Sequence, residues 1–289
     1  MPRGFDHIVH AVRDLDAAAE LYRRLGFSVG ARNHHPRAWG TQNHIVQLPN
    51  VFVELLAVAD AAGIAPHGER SFSFGAHNRD FLAQGEGLSM IALEGRGKDA
   101  DAFRSAGIGD FETYEFEREA KRPDGTPTKV AFSLAFASDP RAPDIGFFTA
   151  QHHYPENFWN PAFQHHANTV KAVSAVIMVA ENPAAHQPFL SAFVGQDIIK
   201  ATLAGIAVPT PRGVIEVITP GAFQAQFGTA PPDVARGPKL AGLRFAVEDF
   251  AAAIKALKAG GIAAQVRMGG IVVGSEKAMG ATLVLAPAG

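Results

Sequence analysis

The chain has no cysteine among its 289 residues. Disulfides, thiolate metal sites and cysteine nucleophiles are therefore excluded. Any metal must be held by histidine, carboxylate, amide or water. No run approaches about 18 uninterrupted apolar residues, so no membrane-spanning helix is expected. The opening "MPRGFDHIVHAV" has neither the basic region, the long apolar run nor the cleavage site of a secretory signal, which makes a cytoplasmic location the expectation. Charge of either sign is scarce in excess. Lys and Arg number 26 against 28 Asp and Glu, a formal net charge of −2. With no long basic cluster there is no bulk attraction for nucleic acid or an anionic membrane. The glycine-rich stretches "GERSFSFG" and "MGGIVVGSEKAMG" follow neither a phosphate-loop nor a dinucleotide pattern. They read as a loop and a hairpin.

What is present is a core-forming supply of apolar residues, 47% of the chain, and a repeat. "FDHIVHAV" (5–12) is a strand by its β-branched and apolar content. "RDLDAAAELYRRLGF" follows as a helix, with Asp14 or Asp16 as its cap and Gly26 at its end. Leu15, Ala18, Ala19, Leu21, Tyr22 and Leu25 give it a buried face. "FSVGAR", "HIVQLPN" and "VFVELLAV" then read as three strands. The last segment repeats the design: Ala246, Val247 and Asp249 stand where Ala11, Val12 and Asp14 stood, and Gly261 stands for Gly26. Further copies start near residues 87 and 170. Four βαβββ modules, beginning near 5, 87, 170 and 240, are the expected α+β architecture. One module cannot bury its own sheet face, so modules should pair. The expected division is 1–153, a polar, proline-bearing linker at 154–169, and 170–289.

One stretch stands out chemically. "FFTAQHHYPENFWNPAFQHH" (147–166) holds four of the chain's twelve histidines. Alternation along a strand turns His152 and His153 to opposite faces, so at most one can serve a given site. By the same rule His7 and Val9 share one face, Ile8 and His10 the other.

The stretches "DHIVHAVRDLDAAAELYRRLGFSV", "HPRAWGTQNHIVQLPNVFVELLAV" and "QHHYPENFWNP" resemble the vicinal oxygen chelate superfamily, the fold of glyoxalase, bleomycin-resistance and extradiol dioxygenase proteins. More narrowly the chain is similar to glyoxalase-like-domain proteins. The resemblance spans most of the chain and is sharp only in its first half. It implies paired modules curled into open, U-shaped sheets around a ligand site. It also implies a divalent metal (Zn, Fe, Mn, Co or Ni) held by a first-strand His and a last-strand Glu. His7 and Glu54 match those positions, and Glu54 is also the candidate catalytic carboxylate. The partner module departs from the pattern. Leu88 or Ser89 stands where a second His belongs, and the last strand has no Glu. His152 is the expected replacement ligand, with His153 as the weaker choice and a candidate substrate contact. Trp39 and Asn43, in the loop that faces the ligand in the resembled family, are the other expected substrate contacts.

Imidazole and carboxylate donors suit such metals, and a set of two His and one carboxylate leaves positions open for a chelating substrate. The modules near 170 and 240 lack the histidines: Ala175 or Val176 and Gly242 replace His7. Glu216 echoes Glu54, whereas Leu283 or its neighbours replace it in the last copy. The second half is expected to be a ligand-free structural copy. His165 and His166 read as solvated linker residues, and Phe158 and Trp159 as packing. The leading expectation is a metal-dependent lyase or isomerase, or a related enzyme, acting on a small oxygenated substrate. The alternative is a non-catalytic binding or drug-sequestering protein of the same fold. A scaffold would leave His7 and Glu54 without a use. An exposed sheet edge is compatible with a homodimer.

Overall fold

A computed structural model describes residues 1–121, 125–267 and 269–288. Strand, helix and three strands recur four times along it. The first set is β1 (Phe5–Ala11), α1 (Leu15–Arg24), β2 (Asn33–His34), β3 (Thr41–Leu48) and β4 (Val51–Val58). After α2 (Phe74–Gln84) come β5 (Gly87–Glu94), α3 (Asp99–Ser105), β6 (Tyr114–Lys121), β7 (Pro127–Ala137) and β8 (Gly146–His152). The short α4 (Pro155–Phe158) precedes β9 (Val170–Val179), α5 (Gln187–Val194), β10 (Lys200–Thr202), β11 (Gly205–Pro209) and β12 (Val214–Ile218). Then α6 (Pro220–Phe227) leads to β13 (Lys239–Val247), α7 (Phe250–Ala259), β14 (Gln265–Arg267), β15 (Gly270–Val273) and β16 (Thr282–Pro287).

The strands pair in the order β2-β3-β4-β1-β5-β8-β7-β6 in the first half and β10-β11-β12-β9-β13-β16-β15-β14 in the second. Within a module the first and last strands run parallel; between modules the first strands run antiparallel. A single backbone register pair, Leu88 with Leu240, joins the two arrays. The run "FSVGAR" is not a strand; the second strand of its module is only Asn33–His34. Gly30 there donates its backbone N–H to Ile45, so the chain approaches β3 without forming a ladder. The helix α2 was not expected from the sequence; Ser73 caps it by accepting the Ala76 N–H.

The repeat is also visible in its caps. Asp14 accepts the Ala17 N–H at 2.9 Å, and Asp249 accepts the Ala252 N–H at 2.9 Å. The helices α1 and α7 then meet end to end. The Arg24 side chain donates to the carbonyls of Gly260 and Gly261, supplying a cation and two donors at the C-terminus of α7. Gly26 (φ +90°) is required at this junction, because a Cβ there would lie 3.0 Å from that of Ala256.

One apolar cluster runs through both halves on their outer, helix-bearing faces, from Ile8 and Tyr22 to Val176, Phe193, Phe245 and Leu285. Phe27 packs on Phe245 and Phe147 on Phe189, at 5.1 and 4.7 Å between ring centres. Each inner face has a cluster of its own. His10, on the outer face of β1, is fully buried. Its Nδ1 accepts from the Tyr22 hydroxyl at 3.0 Å and its Nε2–H donates to the Met279 carbonyl at 2.9 Å. Both ring nitrogens are thus used, and the second contact ties the first module to the last.

Burial depresses the His10 pKa from the usual 6.5, so its contribution to stability is complete above that value and is lost as the pH falls below it. Replacing His10 with Ala is expected to cost about 2–4 kcal/mol, since two buried polar groups lose their partner and a void remains. Urea denaturation at pH 7.5 and 5.5 measures both effects: the variant loses stability at 7.5 and shows a smaller decline towards 5.5 than the unmodified chain.

Candidate active site in the first half

The inner face of the first half is an aromatic cup with a polar floor. β1 contributes two adjacent residues to it, Asp6 and His7. Strict alternation forbids this. The cause is a register shift between Phe5 and His7 where β1 pairs with β5: Phe5 faces Leu93 while His7 faces Ala92. A bulge there turns two consecutive side chains to one side. Beyond it alternation resumes, with Val9 in the cup and Ile8 and His10 outside.

Asp6 is the hub. It is 3% exposed and accepts the His7 Nδ1–H at 2.6 Å and the His152 Nε2–H at 3.0 Å. Burial alone would push its carboxyl up. The charge and hydrogen bond of His152, then those of His7, outweigh that and bring it down to about 2. With Nδ1 engaged, His7 presents Nε2 towards Glu54, 3.8 Å from Oε2. Its ring stacks on Phe52 at 4.3 Å.

Glu54 is held from the other side. Asn43 Nδ2 donates to its Oε1, and Asn33 Nδ2 donates to Asn43 Oδ1 at 3.2 Å. His35 Nε2 lies 3.3 Å from the same Glu54 oxygen and 3.0 Å from Asn43 Nδ2. Burial lowers the His35 pKa, against a smaller opposing pull from Glu54. A neutral ring with Nδ1–H donated to Thr41 Oγ1 and Nε2 accepting from Asn43 accounts for the Thr41 and Asn43 contacts.

Of the residues named from the sequence, His7, Glu54, Asn43 and Trp39 all line one cavity of about 60 Å³. Trp39 is a wall, stacked on Phe74 at 4.5 Å. His152 reaches the floor through Asp6; its contacts are with Asp6, Phe132, Phe158 and Trp159. His153 bonds to Ser133 Oγ at 2.7 Å and lies outside the cavity. Its side chain lines a separate groove with Gln151 and Thr149. His166 is not a solvated residue: it is buried, accepts the Ser28 N–H at Nδ1 and donates from Nε2 to the Gln47 carbonyl. His165 is exposed. Phe158 and Trp159 pack as expected, but over the site: Phe158 lies 5.1 Å from Phe52 and lines the cavity. Gln47 fastens this cover by donating to the Phe158 carbonyl and accepting the Asn160 N–H.

The pseudo-symmetry between the first two modules locates the missing ligands. Val9 pairs with Glu54, and its counterpart Ala92 pairs with Phe148. Phe148 therefore stands in the place of Glu54, and Met90 in the place of His7. Leu88 lies on the outer face, and Ser89 is buried donating to Asn78. In the second half Glu216 is met by Arg244, in two hydrogen bonds of 2.6 and 3.0 Å.

A divalent cation can be tested against these residues. Among the described residues no three His, Asp or Glu are grouped so as to hold one as they stand. Two donors do converge, His7 Nε2 and Glu54 Oε2. Asp6 supplies the carboxylate that a ligating imidazole commonly carries on its other nitrogen. His152, bonded to Asp6 through Nε2, has its Nδ1 buried without a hydrogen-bond partner. The residues fit a cation in donor type and in two positions; the third protein donor is not in place.

A half-open curled sheet of paired βαβββ units, with its polar floor on one inner face, defines the vicinal oxygen chelate class. The chain belongs to the glyoxalase-like domain family, whose model matches residues 5–194. Among solved structures it is similar over 99% of its length to all of a hypothetical protein from Staphylococcus aureus, at 13% identity and a TM-score of 0.68. It is similar over 91% of its length to 76% of a mutant 4-hydroxymandelate synthase from Streptomyces coelicolor, at 14% identity and a TM-score of 0.56. No curated protein matches the sequence. No helix among the described residues is long and apolar enough to cross a membrane.

Replacing Asp6 with Asn keeps the shape but leaves one acceptor for two imidazole donors. A loss of about 1–3 kcal/mol is expected at pH 7. Long-range proton–nitrogen spectra should show His7 protonated at Nδ1 in the unmodified chain and no longer fixed in that form in Asp6→Asn.

Proposed function

We infer that the chain is a metal-dependent glyoxalase-like enzyme that acts on a small oxygenated substrate in the first-half cup. The observation that supports this reading is the pair His7 and Glu54. Two ionisable side chains converge at the bottom of an apolar cavity, each braced from behind by a further polar group. Burying such groups is costly unless they are paired or ligated. His7 and Glu54 are the residues that would hold a divalent cation, with His152 as the third candidate. When bound, the cation would polarise a substrate carbonyl or hydroxyl oxygen. The chain's own residues do the rest. Asp6 fixes the His7 tautomer and orientation. Asn43 and Asn33 aim the Glu54 carboxylate, which is placed to accept or return a proton. Phe74, Phe148 and Phe158 exclude water. Lyase or isomerase chemistry, in which a proton moves beside a polarised oxygen, matches this equipment.

A sequestering protein is the second reading. It is favoured by the aromatic lining and by the unassembled third donor. The two readings part on metal content. Untagged protein, purified without chelator and then dialysed against each metal, is expected to retain close to one transition metal ion per chain by elemental mass spectrometry. His7→Ala and Glu54→Ala should abolish retention. Asp6→Asn should weaken affinity about 10–100-fold, through the His7 imidazole it supports. No retention by the unmodified protein would overturn the enzyme reading and leave sequestration.

A further inference from the structure

The cavity has one cation in its lining that the proposed mechanism does not use. Arg118 lies on β6, an edge strand, and alternation sets it on the same face as Phe116. It is half-buried. Among the described residues its guanidinium has no hydrogen bond and no ion pair. The contrast with the other buried or half-buried arginines is direct. Arg3 is paired with Asp99, Arg79 with Asp80, Arg212 with Glu94 and Arg244 with Glu216. The glutamates that flank Arg118 in sequence belong to the other face of β6; Glu117 pairs there with Lys129. Burial pulls the Arg118 pKa down and no anion opposes that pull.

Its position is equally specific. The rims of the cup meet where Trp39 packs on Tyr114 and Phe116, at 5.2 and 5.3 Å. Arg118 is one step further along that seam and shares the cavity lining with Asn33, on the opposite rim. The two acidic groups of the floor are already satisfied: Asp6 by two histidines, Glu54 by Asn43. An anion entering the cup would therefore find its free partner at the seam. Between the two ends the walls are aromatic side chains, those of Trp39, Phe74, Phe116 and Phe132.

We propose that Arg118 is the anion-recognition residue of this cavity, and that its ligand is a small planar carboxylate. The carboxylate is held by the guanidinium at the seam, and the flat body lies between the aromatic walls. A guanidinium matches a carboxylate in charge and in its paired donor geometry. An aromatic lining favours an unsaturated or aromatic body over a branched one. The inference rests on the cup being the ligand site and does not depend on a cation being bound there.

Benzoate and benzamide test it, since they share a shape and differ in charge. In calorimetric titrations the unmodified protein should bind benzoate about tenfold or more tightly than benzamide, the size of a charge-assisted hydrogen bond. Arg118→Met should bring that ratio close to one with benzamide affinity little changed, and Arg118→Lys should keep part of it. Glu117→Gln, on the outer face, should leave the ratio unaltered. Because Arg118 has no partner, Arg118→Met should not lower the thermal midpoint; a marked fall would show a structural role and overturn the proposal. Equal binding of the two probes, no benzoate binding into the millimolar range, or a preference that survives Arg118→Met would also overturn it. Metal retention in Arg118→Met, and benzoate binding in His7→Ala, separate this outcome from that of the enzyme reading. The carboxylate preference can stand where metal retention fails, and the reverse.

Discussion

A one-residue irregularity in β1 sets the chemistry of the cup. A regular β1 would carry His7 inward and Asp6 outward, away from the cup. The shift opposite Leu93 and Ala92 brings both inside. Asp6 then bonds two imidazoles from strands on either side of β5. The orientation of His7, the approach of its free nitrogen to Glu54 and the placement of His152 all follow from that contact. So does the low Asp6 pKa, because the imidazoles overcome a large desolvation cost.

Around this centre the fold keeps its symmetry in the backbone and abandons it in the side chains. Met90 and Phe148 occupy the places of His7 and Glu54, turning one side of a two-sided site into wall. The second half has gone further: Glu216 is neutralised by Arg244, leaving no free carboxylate at that position. Both halves nevertheless share the outer cluster in which Phe27 meets Phe245 and Phe147 meets Phe189.

Much of this was legible in the sequence. The recurring strand–helix–strands pattern is carried by Asp14 and Asp249, whose capping is local, and by outward-facing apolar residues with regular periods. His7, Glu54, Trp39 and Asn43, which line the cup, are named by their places in stretches that resemble the family, and Glu54 also by its place in an apolar run. Asp6 was not, because a bulge is set by pairing with a distant strand and leaves the period-2 pattern formally intact. His166 was misread because its burial comes from Ser28 and Gln47, far away in sequence. Arg118 did leave a local signal. In "YEFEREAK" Tyr114, Phe116 and Arg118 alternate with Glu115, Glu117 and Glu119, placing one arginine on the aromatic face of a strand. The cover formed by Phe158 depends on Gln47 and had no local signature.

The way Gln47 holds that cover joins the cup to the rest of the chain. The cover is a short strap tied by three hydrogen bonds to that one side chain, from Phe158, Asn160 and Gln164, and by Asn157 to the Lys129 carbonyl, with Phe158 resting on Phe52. The carbonyl of the same residue accepts from the buried His166. One residue of β3 thus holds both the cover of the cup and the segment that leads on into the second half.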